Sequence, residues 1–267
     1  MATYSLGYDD AEIARLEAQA EQLREPTRVL LAASGIGSGM RVLDLGTGLG
    51  HVAAAVAEIV GPEGQVVGLD VDAGMLELAR TRTEGLPQVE FVEADVTRWR
   101  GQEPFDAVVG RLILFHLSDP VAVLRHHLES VRPGGRAVVL DFDIGGVRTE
   151  PGDPFTTHMT GLVMAAFRAA GADPTIGSRL QGILAAAGVE EVGGFAIAQY
   201  LASDNPVGPA VLAGVVRSLA PVMIAHGLTT EAELDVDTLA ARTAQTLRSA
   251  DAVLVPPLLA GAWGRRP

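Results

Sequence analysis

The residues 42–50, Val42-Leu43-Asp44-Leu45-Gly46-Thr47-Gly48-Leu49-Gly50, hold the strongest chemical signal in the chain. An apolar run ends there in spaced glycines, and glycine at a strand-to-helix turn lets the backbone approach a ligand that a Cβ would exclude. Asp70 ends the next apolar run, where a carboxylate can accept two hydrogen bonds from a ribose diol. Asp95 lies beyond a third run, another carboxylate past a strand end. Glycines followed by an acid about 20 residues later also suit a nicotinamide dinucleotide, so these groups alone leave the nucleoside open. His116, past a fourth apolar run, can take up a proton near neutral pH. Asp141 and Asp143 follow a fifth run, and alternate strand positions point to opposite faces, so the two do not form a metal cage.

The elements that must position these groups alternate regularly. The pattern predicts helices at 9–24 and 26–34, then strand 41–45, helix 51–60, strand 65–69, helix 72–83, strands 89–92 and 105–109, helix 119–131 and strand 135–142. Strands alternating with helices imply a parallel, doubly wound α/β sheet. The rhythm then changes to helices at 154–170 and 177–187, a strand at 192–201, helices at 207–225 and 231–249, and a last strand at 252–263. Asp72, opening a helix, reads as its cap. His126 and His127 sit on what reads as an ordinary helix, and His51 reads as serving the first helix after the glycines.

Composition narrows the classes. The 267 residues carry 48% hydrophobic content, enough to bury a large core. The net charge of −13 would repel a phosphate backbone or an anionic membrane, so nucleic acid and membrane are not expected partners. All 20 basic residues in the Lys+Arg count are Arg, which removes Schiff-base and Walker lysines. Without Cys there is no disulfide, thiol nucleophile or Cys-ligated zinc. Residues 1–10 lack a signal-peptide pattern, and 207–228, broken by Pro209, Arg217 and Pro221, reads as a buried helix. These readings together predict a cytoplasmic chain.

With those residues in view, the chain resembles the class I S-adenosylmethionine (SAM) dependent methyltransferases over most of its length. Asp44 before the glycines resembles that family's first motif, Asp70 its ribose carboxylate, and Glu93-Ala94-Asp95-Val96 its adenine-facing segment. Residues 105–109 resemble its fourth strand, and Arg132-Pro133-Gly134-Gly135 the turn into its fifth. The run from Gly110 to Pro120 is similar to the small-molecule branch that includes ubiquinone and menaquinone biosynthesis enzymes. The resemblance implies a Rossmann-like, doubly wound, seven-stranded and mostly parallel sheet with an antiparallel last strand and a helical cap. It divides the chain into a helical arm at 1–34, a SAM-binding core at 35–145, and a part at 146–267 that completes the sheet. Insertions at about 146–190 and 203–250 would form the substrate cap.

The same resemblance implies SAM as cofactor and S-adenosylhomocysteine as product. Cofactor contacts would come from Tyr4, Gln19, Asp44, Gly46, Thr47, Gly48, Asp70, Val71, Met75, Asp95, Val96, Gly110 and Arg111, and no metal is expected. Transfer from a sulfonium is an in-line displacement of an already activated methyl group, so alignment and a dry site are the main requirements. His116 is the candidate general base; His116, Asp141 and His158 are candidate substrate contacts. Apolar residues at 162–167 and 212–223 suggest a roof over an uncharged or aromatic small-molecule acceptor, or else core packing or the face of a homodimer. Two rival readings remain open at this point: a SAM-binding protein that does not methylate, such as a cyclase or regulatory module, and a nucleotide-dependent oxidoreductase.

Overall fold

The computed structural model describes residues 10–267, with side chains from Ile13 onward. In chain order, α1 (Asp10–Ala33) precedes β1 (Arg41–Leu45), α2 (His51–Val60), β2 (Gln65–Asp70), α3 (Ala73–Arg82), β3 (Val89–Glu93), β4 (Phe105–Arg111), α4 (Pro120–Leu128) and β5 (Val131–Asp143). There follow β6 (Arg148–Glu150), α5 (Pro154–Ala169), α6 (Leu180–Ala187), β7 (Glu190–Ile197), α7 (Val207–Ala225), α8 (Glu231–Leu234), α9 (Val236–Ala250), β8 (Val253–Val255) and β9 (Leu258–Arg265). The chain divides into two compact units. A sheet unit comprises Arg24–Asp141, Ile176–Ala196 and Ala260–Pro267; a helical unit comprises Met1–Leu23, Phe142–Thr175 and Ile197–Leu259.

The sheet is a Rossmann-like, seven-stranded array in the order β3-β2-β1-β4-β5-β9-β7, mostly parallel with one antiparallel strand. β1 pairs in parallel with both β2 and β4, so the strand order reverses beside β1, where such sheets open a crevice at their carboxyl ends. β1, β2 and β4 are buried almost continuously, as strands covered on both faces must be. α2 presents Val52, Ala53, Val56, Ala57 and Val60 on one buried face, a stripe that the helical period selects from an alanine-rich run. The last strand meets the Arg132–Gly135 turn through two exchanged backbone bonds of 2.8 Å, from Gly134 to Arg266 and from Arg266 to Gly135.

In the helical unit, Asp153 caps α5 by accepting from Phe155 and Thr156, and Thr230 and Glu233 form a capping box on α8. α7 packs along α5 and α9, and Arg217 on its exposed side pairs with Asp237 at 2.8 Å. By length and composition α7 is long and apolar enough to cross a membrane, and a third of its most apolar window is buried. Leu162, Val163, Phe167, Val216, Leu219 and Met223, read above as roof or core, are buried within this unit.

Three elements depart from expectation, the first being the helix predicted at 231–249, which Asp235, in the left-handed region at φ 39°, divides into α8 and α9. The final strand divides, because Pro256 and Pro257 cannot donate to a ladder; β8 pairs antiparallel with the unforeseen β6, and β9 alone joins the main sheet. The two predicted N-terminal helices are one helix with Pro26 inside it. Proline has no N–H to offer the carbonyl four residues earlier, that of Gln22. The Gln199 side-chain amide supplies the donor, at 3.2 Å from the Gln22 carbonyl oxygen.

Replacing Gln199 with Leu therefore leaves that carbonyl without its donor and should lower unfolding stability by about 1 kcal/mol in denaturant titration. The loss should shrink when Pro26→Ala is added, because alanine restores the helical N–H that proline lacks. Additive effects of the two substitutions would contradict this pairing.

Candidate functional site

Gly46 and Gly48 both lie in the left-handed region, at φ 63° and 52°, which the expected turn required of glycine. The turn is tied to β2 by the Thr47 N–H, which donates to the Leu69 carbonyl at 2.8 Å. Asp70 then locks it in place. Its Oδ2 accepts from the Gly48 N–H at 2.8 Å and its Oδ1 from the Asp72 N–H at 3.0 Å. Each carboxylate oxygen retains a further lone pair after these bonds. Burial raises the Asp70 pKa above its ordinary value, against the backbone donors that favour the charged form. A Cβ at Gly48 would meet open space, so on that side the turn stands clear of other protein atoms. Val71, the next residue, exposes 65% of its surface, an apolar face beside the acid. Asp72 caps α3 by accepting from Met75 at 2.8 Å.

Beneath the turn, Asp44 is fully enclosed and accepts from the Thr47 hydroxyl at 2.7 Å. Burial pushes its carboxyl up to about 7, opposed by the Thr47 hydrogen bond and the positive charge of Arg111. Arg111 ends β4 and donates to the Thr27 hydroxyl on α1 at 3.0 Å. Burial lowers its pKa to about 10, and the Asp44 charge works against that shift. Strand β4, helix α1 and the glycine turn thus meet around one enclosed set of charges and hydroxyls.

Past Arg111, Leu112 adopts φ 55°, a conformation that costs a branched side chain on the order of 1–2 kcal/mol. Its N–H is held by the Leu140 carbonyl at 2.8 Å. The bend seats Ile113 in the room left by Gly46 and Gly110: a Cβ on either would lie 2.7 Å or 2.9 Å from Ile113 carbons. Gly110 therefore admits Ile113. A short 3-10 turn, Leu114–His116, follows, and the His116 ring lies against Phe115, tilted by 42° with centroids 3.7 Å apart. Asp141 has no solvent exposure and its Oδ2 accepts from the Phe115 N–H at 3.3 Å. It supports the turn that carries His116.

Asp95 follows β3, and its Oδ1 accepts from the hydroxyl and N–H of Thr97, at 2.7 and 2.8 Å. The Thr97 hydroxyl, then its N–H, holds the carboxyl below the ordinary range. Val96 and Met75, expected among the cofactor contacts, are buried among core side chains; Val71 is the exposed apolar neighbour of Asp70. Gln19 is half-buried on α1 and His158 exposed on α5, both in the helical unit, and Tyr4 lies outside the described residues. Among the described residues, no group of three or more His, Asp or Glu could hold a metal ion. The sequence reading missed Thr27 and the two histidines of α4. His126 Nε2 lies 2.8 Å from the Trp99 carbonyl and His127 Nε2 2.7 Å from that of Val96. The signal available for them was the adjacent pair of imidazoles on a core helix, one of which had to face inward.

A family model described as a methyltransferase domain matches residues 36–171, just over half of the chain. The ubiquinone/menaquinone biosynthesis C-methyltransferase of Pseudomonas putida is 37% identical over 119 residues, covering 43% of this chain and 46% of the relative. The chain thus spans about half the length of the curated relatives it matches. Among solved structures, the YcgJ protein of Bacillus subtilis aligns with a TM-score of 0.57 at 17% identity, covering 91% of this chain and 100% of that one. Phosphoethanolamine N-methyltransferase 2 of Haemonchus contortus, in complex with S-adenosyl-L-methionine, aligns with a TM-score of 0.57 at 18% identity, covering 91% of this chain and 52% of the other. At these identities the two structures show a shared fold.

Asp44 makes stability depend on pH in a definite direction. Its folded pKa lies above its ordinary value of 3.8, so between about 4 and about 7 the folded chain holds a proton that the unfolded chain releases. Its favourable contribution is present below that window and lost as pH rises through it. An Asp44→Asn variant lacks this term, so its stability relative to wild type should climb from pH 4 to 7 and level off above. A difference that is flat across the window would contradict the shift.

Proposed function

Because the chain belongs to the methyltransferase-domain family, we propose that it transfers the sulfonium methyl of S-adenosyl-L-methionine to a small-molecule acceptor, leaving S-adenosyl-L-homocysteine. The observation that carries the reading is the Asp70 carboxylate, fixed by two backbone donors at the carboxyl edge of the sheet with a lone pair remaining on each oxygen. The residues fit the cofactor. Asp70 accepts from the ribose diol, Val71 lies against the adenine, and Asp95 accepts from its amino group. The open backbone at Gly48 makes room for the methionine portion.

When bound, the cofactor supplies an activated methyl group with a neutral thioether as its leaving group. The chain's own contribution is to align the acceptor and keep water away. His116 takes the proton lost by a hydroxyl, amine or acidic carbon, and Asp141 holds its turn through the Phe115 N–H. Ile113, Phe115 and Leu117 are partly buried hydrophobics around His116, which favours an uncharged or aromatic acceptor. The net charge of −13 disfavours nucleic acid in that role. We place the reaction in the cytoplasm.

Incubation with SAM and a panel of uncharged phenolic and quinol acceptors should yield S-adenosylhomocysteine and methylated acceptor one for one. Acceptor conversion without S-adenosylhomocysteine would mark a cyclase, and turnover of charged polar compounds alone would overturn the acceptor class. His116→Gln should lower kcat by about 100-fold while leaving SAM affinity intact. Undiminished turnover in that variant removes the histidine from the mechanism.

A further inference from the structure

We propose that His126, His127 and Glu129, at the C-terminal end of α4, are positioning residues for nucleobase recognition, because they hold the β3–β4 loop in the shape that presents Asp95. The proposal rests on the reading of Asp95 as the acceptor for the adenine amino group.

Three consecutive attachments join this helix end to the loop. His127 Nε2 reaches the Val96 carbonyl at 2.7 Å, His126 Nε2 reaches the Trp99 carbonyl at 2.8 Å, and Glu129 forms an ion pair with Arg100. A carbonyl oxygen can only accept, so both imidazoles donate from Nε2. The loop's own turn, in which the Arg98 and Trp99 N–H groups share the Asp95 carbonyl at 3.0 Å, lies between the two histidine bonds. Among the described residues no strand pairs with this segment, so its carbonyls have no ladder to fix them.

The anchor is itself well fixed. Asp119 caps α4 by accepting from Ala122, and Val123, Leu124 and Leu128 share a core cluster with Val96. His127 is 1% exposed, and its Nδ1 is buried without a hydrogen-bond partner. Leu at this position would fill the core without that orphaned nitrogen. What an imidazole adds is a donor aimed at the residue after Asp95. Burial holds its pKa near 4, so the ring stays neutral across the physiological range. Losing that donor would free the Val96 carbonyl and let the Asp95 carboxylate drift, weakening the contact that reads the amino group more than those made to ribose or methionine.

The test compares S-adenosylhomocysteine with S-inosylhomocysteine, which lacks the adenine amino group, by calorimetry on the full chain. His127→Leu should weaken S-adenosylhomocysteine about tenfold, the scale of one hydrogen bond, and leave S-inosylhomocysteine unchanged. His127→Gln, which retains an N–H at similar reach, should recover the discrimination. Equal weakening of both ligands, or of neither, overturns the proposal. Failure of the wild type to bind S-adenosylhomocysteine would overturn the cofactor reading with it, whereas normal wild-type binding with an unaffected Leu variant overturns the tether alone. Nitrogen-15 imidazole spectra of the unsubstituted chain give a second measurement if the Leu variant does not fold. The His127 ring should be protonated at Nε2 and bare at Nδ1 at pH 7, and the opposite tautomer there overturns the proposal.

Discussion

The carboxylate of Asp70 accepts one backbone N–H from the glycine turn after β1 and another from the start of α3. Its main-chain carbonyl accepts a third, from Ala94 after β3, at 2.7 Å. One residue thus registers three strand ends against each other. The parallel order β3-β2-β1-β4 gathers those ends on one edge, and the glycines let the first loop come close enough to be held. A shorter turn or a side chain at Gly48 would move the Gly48 N–H, and with it the orientation of the acid. The proposed chemistry asks for alignment above all else, so this rigid arrangement matters more than any strongly reactive group.

The rest of the rim is built at an energetic cost. Asp44 and Arg111 are charges taken out of water, each with its pKa displaced by burial and partly restored by the other. Leu112 sits in a left-handed conformation that only its surroundings enforce, and Ile113 uses the space that two absent Cβ atoms leave. Such departures from local preference cluster where a fold carries a site. Here they occupy the carboxyl ends of β1 and β4, beside the reversal of strand order.

How much of this was legible depended on whether the information was local. The glycine turn, Asp70 and the Asp72 cap follow from residue types at short spacing, and the alternation of strands with helices fixed the parallel sheet. Local rules read a helix boundary at Pro26, but the helix runs through it, and the donor that makes this tolerable comes from Gln199, far along the chain. Pro256 and Pro257 carried a visible signal for splitting the last strand, which the apolar run around them obscured. Arg111 was legible as a cofactor contact or the partner of a buried acid, while the Thr27 hydroxyl to which its guanidinium donates follows from no local pattern. His126 and His127 read only as part of an ordinary helix because no pattern along the sequence reveals which loop carbonyls stand opposite them. Asp141 was legible as a polar residue at a strand end, while its full burial depends on how the following turn folds back.

The central claim is that the Asp70 edge binds the ribose of a sulfonium nucleoside. Calorimetric titration of the purified chain and of Asp70→Ala with SAM, S-adenosylhomocysteine and NAD tests it most directly. The account predicts that the first two bind the unsubstituted chain, that NAD does not, and that Asp70→Ala loses both. Binding of NAD in their place, or undiminished S-adenosylhomocysteine binding by Asp70→Ala, would contradict it.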